Sequence, residues 1–360
     1  MQTLLAANLN DDNFSDLVIG GTHKSVVYYG TGTGLDVEKV FELPAENCKG
    51  IAAAELNRDG KPAIILANEG QRTVDPARGI ARSTIYWAAA TGFDRANRTH
   101  LPTLGATTVQ VAELNGDEFP DILFGNGHDD RFSGVPSYIY WGDSNGYSSH
   151  RRQELTGFGT IGSGVLDLNR DGWPDILLVS YLSGKRDTLL AVVFWGNTAH
   201  HYSSASSTLM DIRPNMEFSM ADMDDDGFPD IVFLGDRPRP EEAIVVWGSA
   251  DGFDPEDRTQ LPVRGAQSNN VADLNRDGYL NILFTAAGKR GKGRKGTPRA
   301  VIVWGNGDRL RNAQTSEWEL LSSGTESDAI ADLNKDGYLD LIFPLHHANQ
   351  SGIWYGNSRG

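Results

Sequence analysis

The stretch that decides the fold is Asp222-Met-Asp-Asp-Asp-Gly-Phe-Pro-Asp230, which is followed by the apolar run Ile231-Val-Phe-Leu234. Carboxylates at alternate positions, Asp222, Asp224 and Asp226, converge on one point when the chain turns tightly, and Asp230 follows four residues later. Gly227 stands where the chain must turn back with positive φ, which glycine adopts without steric cost. Because clustered carboxylates repel one another, the pattern predicts an oxygen-seeking cation among them, and Ca²⁺ fits best.

The loop begins like an EF-hand but does not continue like one. An EF-hand requires a bidentate Glu at its twelfth position and a helix on each side. Here the twelfth position is Phe233, inside a run of β-forming residues. The stretch therefore predicts a calcium loop between two strands.

The same loop recurs seven times along the 360 residues, at intervals of 47, 58, 54, 55, 51 and 59 residues. In each unit a short apolar strand precedes the loop, and a continuously apolar strand follows it, which indicates burial on both faces of a sheet. A third strand ending in an aromatic residue and a more polar fourth strand complete the unit. Four short antiparallel strands per unit, repeated seven times, predict an all-β fold, a seven-bladed β-propeller that forms a single domain over residues 1–360. The first positions of the seven loops are Asn8, Glu55, Glu113, Asp167, Asp222, Asp273 and Asp332.

Two further predictions concern the third strands. One aromatic residue per unit ends that strand, and we interpret these residues as packing between blades and not as a sugar-stacking surface. In the seventh unit the third strand, residues 352–356, is followed by only four residues, so we predict a seventh blade of three strands with an unpaired outer edge. The aromatic residues are Tyr29, Trp87, Trp141, Trp195, Trp247, Trp304 and Tyr355.

Composition excludes several classes of protein. The formal net charge of −16 argues against nucleic-acid binding, which requires a basic surface. The single cysteine, Cys48, excludes an internal disulfide framework. No apolar stretch reaches the length of a membrane span. The first residues lack the basic and long apolar regions of a signal peptide, so we expect any leader to have been removed.

On its acidic loops and the Ile/Leu runs after them, the chain resembles the FG-GAP/VCBS repeats of the integrin alpha-subunit propeller and of many secreted bacterial and fungal proteins. The resemblance covers essentially the whole chain. It implies an extracellular, periplasmic or cell-surface protein whose loops join the first and second strands of each blade and hold Ca²⁺ on one face, with ligands met on the opposite face. It also implies that Trp173, Phe228 and Tyr338 contribute backbone carbonyls to the metal. The repeat occurs in adhesins, lectins and enzymes, so it does not specify the ligand.

Counting oxygen ligands grades the loops. Loops four, five and seven are complete, with three or four carboxylates each, and we predict structural Ca²⁺ at all three. Their ligands are Asp167, Asn169, Asp171, Trp173 and Asp175; Asp222, Asp224, Asp226, Phe228 and Asp230; and Asp332, Asn334, Asp336, Tyr338 and Asp340.

The other four loops are degenerate. Loop six ends in Asn281 in place of a carboxylate, loop three has Glu118 where the turn glycine is expected, and loop one has only two carboxylates. Loop two ends at Ala63 and carries Lys61, so we predict that it holds no metal. The candidate ligands in loops six, three and one are Asp273, Asn275 and Asp277; Glu113, Asn115, Asp117 and Asp121; and Asn8, Asn10, Asp12 and Asp16.

The connections between second and third strands emerge opposite the acidic loops, because chain direction alternates within a blade. They vary most in length and composition, which is typical of a recognition surface on a constant scaffold. In the sixth unit this connection is basic, Lys289-Arg-Gly-Lys-Gly-Arg-Lys295; it is either a solvated loop or a contact for an anionic partner. The candidate ligand-face residues are His23, Glu69, Asn126, His128, Tyr181, Asp236, His346 and His347.

These observations predict a non-catalytic, calcium-stabilised recognition module for carbohydrate or protein, without a nucleic-acid partner or a membrane span. One alternative is a carbohydrate-active enzyme such as a polysaccharide lyase, in which face histidines, Tyr181 and arginines would serve as acid, base and charge clamp. A second alternative is a scaffold domain of a larger secreted protein. No nucleophile elbow or phosphate-binding loop is present in the sequence.

Overall fold

The computed structural model describes the chain except for residues 1–2, 13, 32–33, 71–80, 90–91, 128–133, 183–184, 211, 213–216, 236–242, 264, 287–298, 321–328, 333, 346–349 and 359–360. The chain divides into two compact units, Met1–Leu166 with Trp173–Leu209, and Asp167–Gly172 with Met210–Gly360.

The described residues form seven antiparallel sheets, in each of which the strands lie in chain order. The fold is therefore a seven-bladed β-propeller, as the sequence predicts, and in the described residues the seventh blade has three strands, which is also confirmed.

The first four blades have the following strands: β1 (Leu4–Ala7), β2 (Asp16–Ile19), β3 (Lys24–Thr31) and β4 (Gly34–Pro44); β5 (Cys48–Glu55), β6 (Pro62–Asn68), β7 (Arg82–Ala89) and β8 (Gly92–Pro102); β9 (Ala106–Ala112), β10 (Asp121–Asn126), β11 (Ser137–Tyr140) and β12 (Arg152–Leu155); β13 (Thr160–Leu166), β14 (Asp175–Leu182), β15 (Lys185–Phe194) and β16 (Ser207–Met210). A short 3-10 helix, Ser204–Ser206, precedes β16.

The last three blades consist of β17 (Phe218–Ala221), β18 (Asp230–Phe233), β19 (Ile244–Val246) and β20 (Arg258–Gln260); β21 (Ala266–Ala272), β22 (Asn281–Ala286), β23 (Arg299–Val303) and β24 (Thr315–Glu319); and β25 (Ala329–Ala331), β26 (Asp340–Leu345) and β27 (Gln350–Trp354). None of the described helices has the length and apolarity needed to cross a membrane.

The second strands β6, β10 and β22 are buried on both faces because each lies between two hydrophobic cores. In β6, Ile64 and Leu66 pack in a core shared with the first blade, whereas Ile65 packs in a core shared with the third. In β22, Phe284 faces the fifth blade and Leu283 faces the seventh. Since alternate residues of a strand point to opposite faces, a continuous apolar run supplies both cores.

Five of the aromatic residues at the ends of third strands pack in or against cores between blades, as predicted, whereas the prediction is wrong for Tyr355. Trp247 is 2% exposed in the core between the fifth and sixth blades, and Trp87, Trp141 and Trp304 pack against other such cores. Several indole N–H groups also donate to a hydroxyl on the fourth strand of the same blade. These pairs are Trp87 with Thr99 (3.0 Å), Trp195 with Thr208 (2.9 Å), Trp247 with Thr259 (3.0 Å) and Trp304 with Ser316 (2.9 Å).

Tyr355, the aromatic residue of the seventh blade, is 58% exposed. It follows β27, which is the outer strand of its sheet in the part of the chain that the structure describes. The difference from the tryptophans follows from the three strands described for this sheet, because a fourth strand supplies a hydroxyl partner in the second, fourth, fifth and sixth blades.

The reactivity of Cys48 can be used to test the packing of the core between the first and second blades. Its thiol is buried, and burial raises its pKa to about 12, so that the reactive thiolate is scarce at neutral pH. We expect iodoacetamide at pH 8 to leave Cys48 unmodified in the native protein and to alkylate it fully in denaturant, as measured by intact mass. Rapid alkylation without denaturant would contradict this packing.

Candidate metal-binding loops and the opposite face

The described residues of the acidic loops share two left-handed positions, counted from the first predicted ligand. Position six has positive φ, as predicted, both at Gly227 (94°) and at Glu118 (71°), the residue that replaces glycine in loop three. Position four also has positive φ, for example at Arg170 (59°) and Asp225 (61°), and no sequence signal indicated this second left-handed residue. Position two anchors the loop: Leu9, Leu56, Leu114, Leu168 and Met223 are 0–3% exposed.

Side-chain oxygens of the loops accept backbone N–H groups in a repeated pattern. In loop five, Asp222 accepts the N–H of Gly227 at 2.9 Å, and Asp226 accepts that of Phe228 at 2.9 Å. Loop two has the same bonds, Glu55 to Gly60 (2.8 Å) and Asp59 to Lys61 (2.9 Å). The loop conformation is thus common to complete and degenerate repeats, and ligand count distinguishes them.

The structure brings the predicted ligands of loop five together. Asp222, Asp224 and Asp226 each offer a carboxylate oxygen, and these oxygens lie within 4.8 Å of one another; Asp230 is not part of this group. Among the described residues, two first-position carboxylates also have a buried oxygen without a hydrogen-bond partner, Glu113 Oε2 and Asp273 Oδ1. Buried carboxylate oxygens require a partner. The donor set and these orphaned oxygens therefore fit a hard divalent cation such as Ca²⁺.

Position nine has a structural role that the sequence did not reveal. Asp230 is completely buried, one oxygen accepts the Met223 N–H at 2.7 Å, and the other accepts the N–H of Gly248 at 2.8 Å. Burial raises the pKa of Asp230 to about 7, even though the two N–H donors favour the charged form. Asp16, Asp121, Asp175 and Asp340 likewise accept an N–H from the glycine after the third-strand aromatic: Gly30, Gly142, Gly196 and Gly356.

This contact, which we call the aspartate–glycine brace, explains the glycine that follows the aromatic residue. At Gly248 a Cβ would lie far inside van der Waals contact with the carbonyl oxygen of Pro229, at position eight of the loop. Gly30, Gly142, Gly196, Gly305 and Gly356 have the same close approach to position eight. Repeat two lacks both members: position nine is Ala63, and Ala88 follows Trp87. The close approach of the third strand to the loop thus occurs at the glycine whose N–H is donated to the buried side chain at position nine.

Loop five also receives an arginine from the following blade. Arg309 Nε donates to Asp224 at 2.7 Å, one Nη lies 3.5 Å from Asp226, and the other Nη donates to Asp257 at 2.9 Å. The guanidinium lies 5.3 Å from the centroid of the Trp247 ring. Burial disfavours the charged guanidinium, but the hydrogen bond to Asp224 and the charges of Asp224 and Asp257 outweigh it and raise the pKa of Arg309.

On the opposite face, two of the predicted ligand-face residues, His23 and Glu69, hydrogen-bond to the segment that connects the first blade to the second. The exposed His23 accepts the N–H of Ala45 through its carbonyl at 3.0 Å, and Glu69 donates its N–H to the Asn47 carbonyl at 3.0 Å. The Glu69 carboxylate also accepts the Asn47 amide at 2.6 Å and lies 3.4 Å from Lys49 Nζ. The ends of the first two blades thus carry a group of polar side chains: His23, Asn47, Lys49 and Glu69.

Asn126 is placed differently from the prediction. It is buried, its carbonyl accepts the Leu104 N–H at 3.1 Å, and its amide donates to the Pro136 carbonyl at 2.8 Å. Its polar atoms therefore hold backbone together and do not face a ligand. The equivalent Asn68 makes the same contacts in the second blade, and this repetition was the available sequence signal.

The other candidates on this face are partly outside the described residues. Tyr181 is partly exposed at the end of β14, and its N–H donates to the Gly159 carbonyl at 3.1 Å. His128, Asp236, His346, His347 and the basic stretch Lys289–Lys295 lie outside the described residues.

Comparisons with known proteins agree with the repeat pattern. The profile of the FG-GAP-like repeat matches residues 114–178, 167–233 and 222–284. Integrin alpha-6 of Homo sapiens is 32% identical over 142 residues, which are 36% of this chain and 12% of that protein. Integrin alpha-6 of Gallus gallus is 28% identical over 162 residues, 41% of this chain and 15% of that protein. The aligned part is thus a small fraction of these relatives.

A solved structure with a similar fold is a lectin of Agrocybe aegerita, described as specifically recognising non-reducing terminal N-acetylglucosamine. The TM-score is 0.50, and the superposition covers 88% of this chain and 84% of the lectin. The sequence identity is 14%, so the likeness concerns the fold.

The aspartate–glycine brace can be tested at one residue. Gly248→Ala should lower the free energy of unfolding by about 2–4 kcal/mol, because the new methyl group displaces the third strand from Pro229 and lengthens the bond to Asp230. Chemical denaturation measures the change. The matched control is Ala88→Gly in repeat two, which has no brace and should cost only about 0.5–1 kcal/mol. Equal losses for the two variants would refute the brace.

Proposed function

Because this chain is an FG-GAP repeat protein that resembles the integrin alpha β-propeller, we propose that it is a calcium-stabilised, extracellular recognition module. The observation that carries the proposal is the repeated acidic loop, whose oxygens converge in loop five and are orphaned in loops three and six. Ca²⁺ bound there holds the first and second strands of a blade together in a protein with a single cysteine.

Ligand counting decides which loops take the ion. Loops four, five and seven have the full set of carboxylate and amide oxygens, and Ca²⁺ is proposed at each of them. Loops one, three and six are weaker candidates. Loop two has only Glu55 and Asp59 as carboxylates, and its Lys61 repels a cation, so it remains without metal.

The ligand is a carbohydrate or a protein, bound on the face opposite the acidic loops. The ends of the first two blades carry the exposed His23 and the partly buried pair Asn47 and Glu69, which offer hydrogen-bond donors and acceptors. The lectin with a similar fold favours a glycan, and the integrin relatives favour a protein partner.

The calcium proposal predicts a difference between two matched aspartates at position five. Asp336 accepts the Tyr338 N–H at 2.8 Å in loop seven, and Asp59 accepts the Lys61 N–H at 2.9 Å in loop two. Asp336→Asn should remove one bound Ca²⁺ per chain, because the loop loses a charged ligand. Asp59→Asn should leave the number unchanged. Calcium titration calorimetry on the chelator-treated protein gives both numbers.

Calcium should also stabilise the fold, since a ligand that binds only the native state adds about 4 kcal/mol at a thousandfold excess over its Kd. The melting temperature in EGTA should therefore lie below that in millimolar Ca²⁺. An identical melting temperature in the two buffers, together with no bound Ca²⁺ by calorimetry, would reject the calcium proposal.

The recognition proposal predicts binding on a glycan array that includes N-acetylglucosamine-terminated glycans, run with Ca²⁺ and with EGTA. His23→Ala should reduce the signal at least severalfold without changing the melting temperature. The control is His150→Ala, because His150 is also exposed but lies between the third and fourth strands, at the other end of its blade. Absence of glycan binding would leave a protein ligand as the remaining form of the proposal, and breakdown of uronic-acid polymers in the same samples would favour an enzyme.

A further inference from the structure

Six of the seven loops have an asparagine at position three, and its amide has a defined partner. The amide N–H donates to the Oδ2 of the aspartate at position five in every one of these loops. The pairs are Asn10 with Asp12 (2.8 Å), Asn57 with Asp59 (3.2 Å), Asn115 with Asp117 (3.2 Å), Asn169 with Asp171 (3.2 Å), Asn275 with Asp277 (2.8 Å) and Asn334 with Asp336 (3.0 Å).

Loop five has Asp224 at position three, and an aspartate carboxylate cannot donate this hydrogen bond. Arg309 supplies donors in its place. Its Nε donates to Asp224 Oδ2, and its Nη2 lies 3.5 Å from Asp226 Oδ2, the position-five atom that an asparagine amide serves in the other loops. The arginine therefore bridges two carboxylates that would otherwise repel each other.

The backbone around Arg309 is built to hold it there. Arg309 (φ 49°), Leu310 (φ 57°) and Asn312 (φ 55°) are all left-handed, a conformation that costs non-glycine residues energy and persists only where surrounding contacts fix it. Leu310 is buried in the core between the fifth and sixth blades, and the Arg309 carbonyl accepts the Thr259 hydroxyl at 2.9 Å. The guanidinium is thus presented to loop five by a fixed segment.

Charge leads to the same conclusion. At the predicted ligand positions loop five has four carboxylates, whereas loops four and seven have three each; position four adds Asp225 to loop five but Arg170 and Lys335 to the other two. Loop five is therefore the most acidic of the three, and the guanidinium in contact with Asp224 offsets its additional ligand carboxylate. The side chain of Asp224 is only 7% exposed, so solvent screens this pair less than a surface ion pair.

We propose that Arg309 is the built-in counter-cation of loop five: it substitutes for the position-three amide of the other loops, keeps the metal-free loop folded, and weakens Ca²⁺ binding at this one site. The statement about Ca²⁺ rests on the proposed function, whereas the statement about the metal-free loop does not. Arg309 is a positioning residue that acts through Asp224 and Asp226.

The test is a double-mutant cycle on the full chain in EGTA. Arg309→Met should lower the melting temperature by about 2–4 °C, because two adjacent carboxylates lose their bridge. Asp224→Asn restores the asparagine of the other loops, so in that background Arg309→Met should cost less than about 1 °C. An equal loss in both backgrounds would mean that Arg309 acts through contacts other than Asp224, such as those with Asp257 and Trp247. No loss in the wild-type background would mean that it does not act at all, and either result overturns the proposal.

The Ca²⁺ arm measures affinity by titration calorimetry. Arg309→Met should tighten one site about two- to fivefold, because the competing cation is gone. The control is Arg311→Met in the same segment, since Arg311 is 64% exposed and pairs with Asp308 at 3.6 Å; it should change neither the melting temperature nor the affinity. Unchanged or weaker binding in Arg309→Met would overturn the statement about Ca²⁺.

Failure of the calcium proposal and failure of the Arg309 proposal give different results. If none of the variants or the wild type binds Ca²⁺, the proposed calcium function fails, and the cycle in EGTA still decides the role of Arg309. If Arg309→Met does not fold, Arg309→Lys keeps a cation but loses the planar fork that bridges both carboxylates. Arg309→Lys should lower the melting temperature by about half the amount expected for Arg309→Met, and only in the protein that retains Asp224. An equal decrease in the Asp224→Asn protein would contradict the proposal.

Discussion

The buried carboxylate at position nine, present in five of the seven loops, is the constraint around which those blades are built. A carboxylate without solvent is unfavourable unless its oxygens are hydrogen-bonded, and Asp230 meets this requirement with the N–H groups of Met223 and Gly248. One N–H comes from inside the loop and the other from the end of the third strand. The side chain therefore fixes the distance between two segments that are far apart in sequence.

Other features of the repeat follow from that distance. The third strand comes so close to the loop that only glycine fits at Gly248, and the preceding Trp247 is carried into the core between blades. Its indole then reaches Thr259 on the fourth strand. Repeat two differs in both positions. It has Ala63 where the other repeats have an aspartate or asparagine, and its third strand has Ala88 in place of the glycine.

Loop shape and loop charge vary independently in this protein. Position-two side chains, the backbone with positive φ at positions four and six, and the carboxylate-to-N–H bonds are common to loops two and five. The number of negative charges at the centre differs between the loops. The proposed division into metal-binding and metal-free loops thus depends on side chains held in one preformed geometry, and Arg309 modifies the charge of loop five without changing that geometry.

The two ends of the blades differ in a way that suits recognition. At the end with the acidic loops, the blades repeat the same hydrogen bonds. At the other end, the first two blades present His23 and the group formed by Asn47, Lys49 and Glu69, whereas the second and third blades use Asn68 and Asn126 to hold backbone together. A constant scaffold with variable side chains at one end allows ligand contacts to change without loss of the fold.

The sequence by itself determined the number of blades and the order of their strands. These follow from local patterns: the period of the acidic loop and the continuous apolar second strand. Convergence of Asp222, Asp224 and Asp226 was equally readable, because alternate residues in a tight loop point inward whatever surrounds them.

Only the tertiary structure decided the features that join distant segments. Asp230 is hydrogen-bonded to Gly248, 18 residues away, and Asp224 of loop five is hydrogen-bonded to Arg309, 85 residues away. The sequence predicts Asn126 as an exposed loop residue, but in the fold it is buried and hydrogen-bonded to backbone. Burial is set by the neighbouring strands and not by residue type. Local sequence fixes which groups are available in each loop, and long-range packing fixes which of them meet.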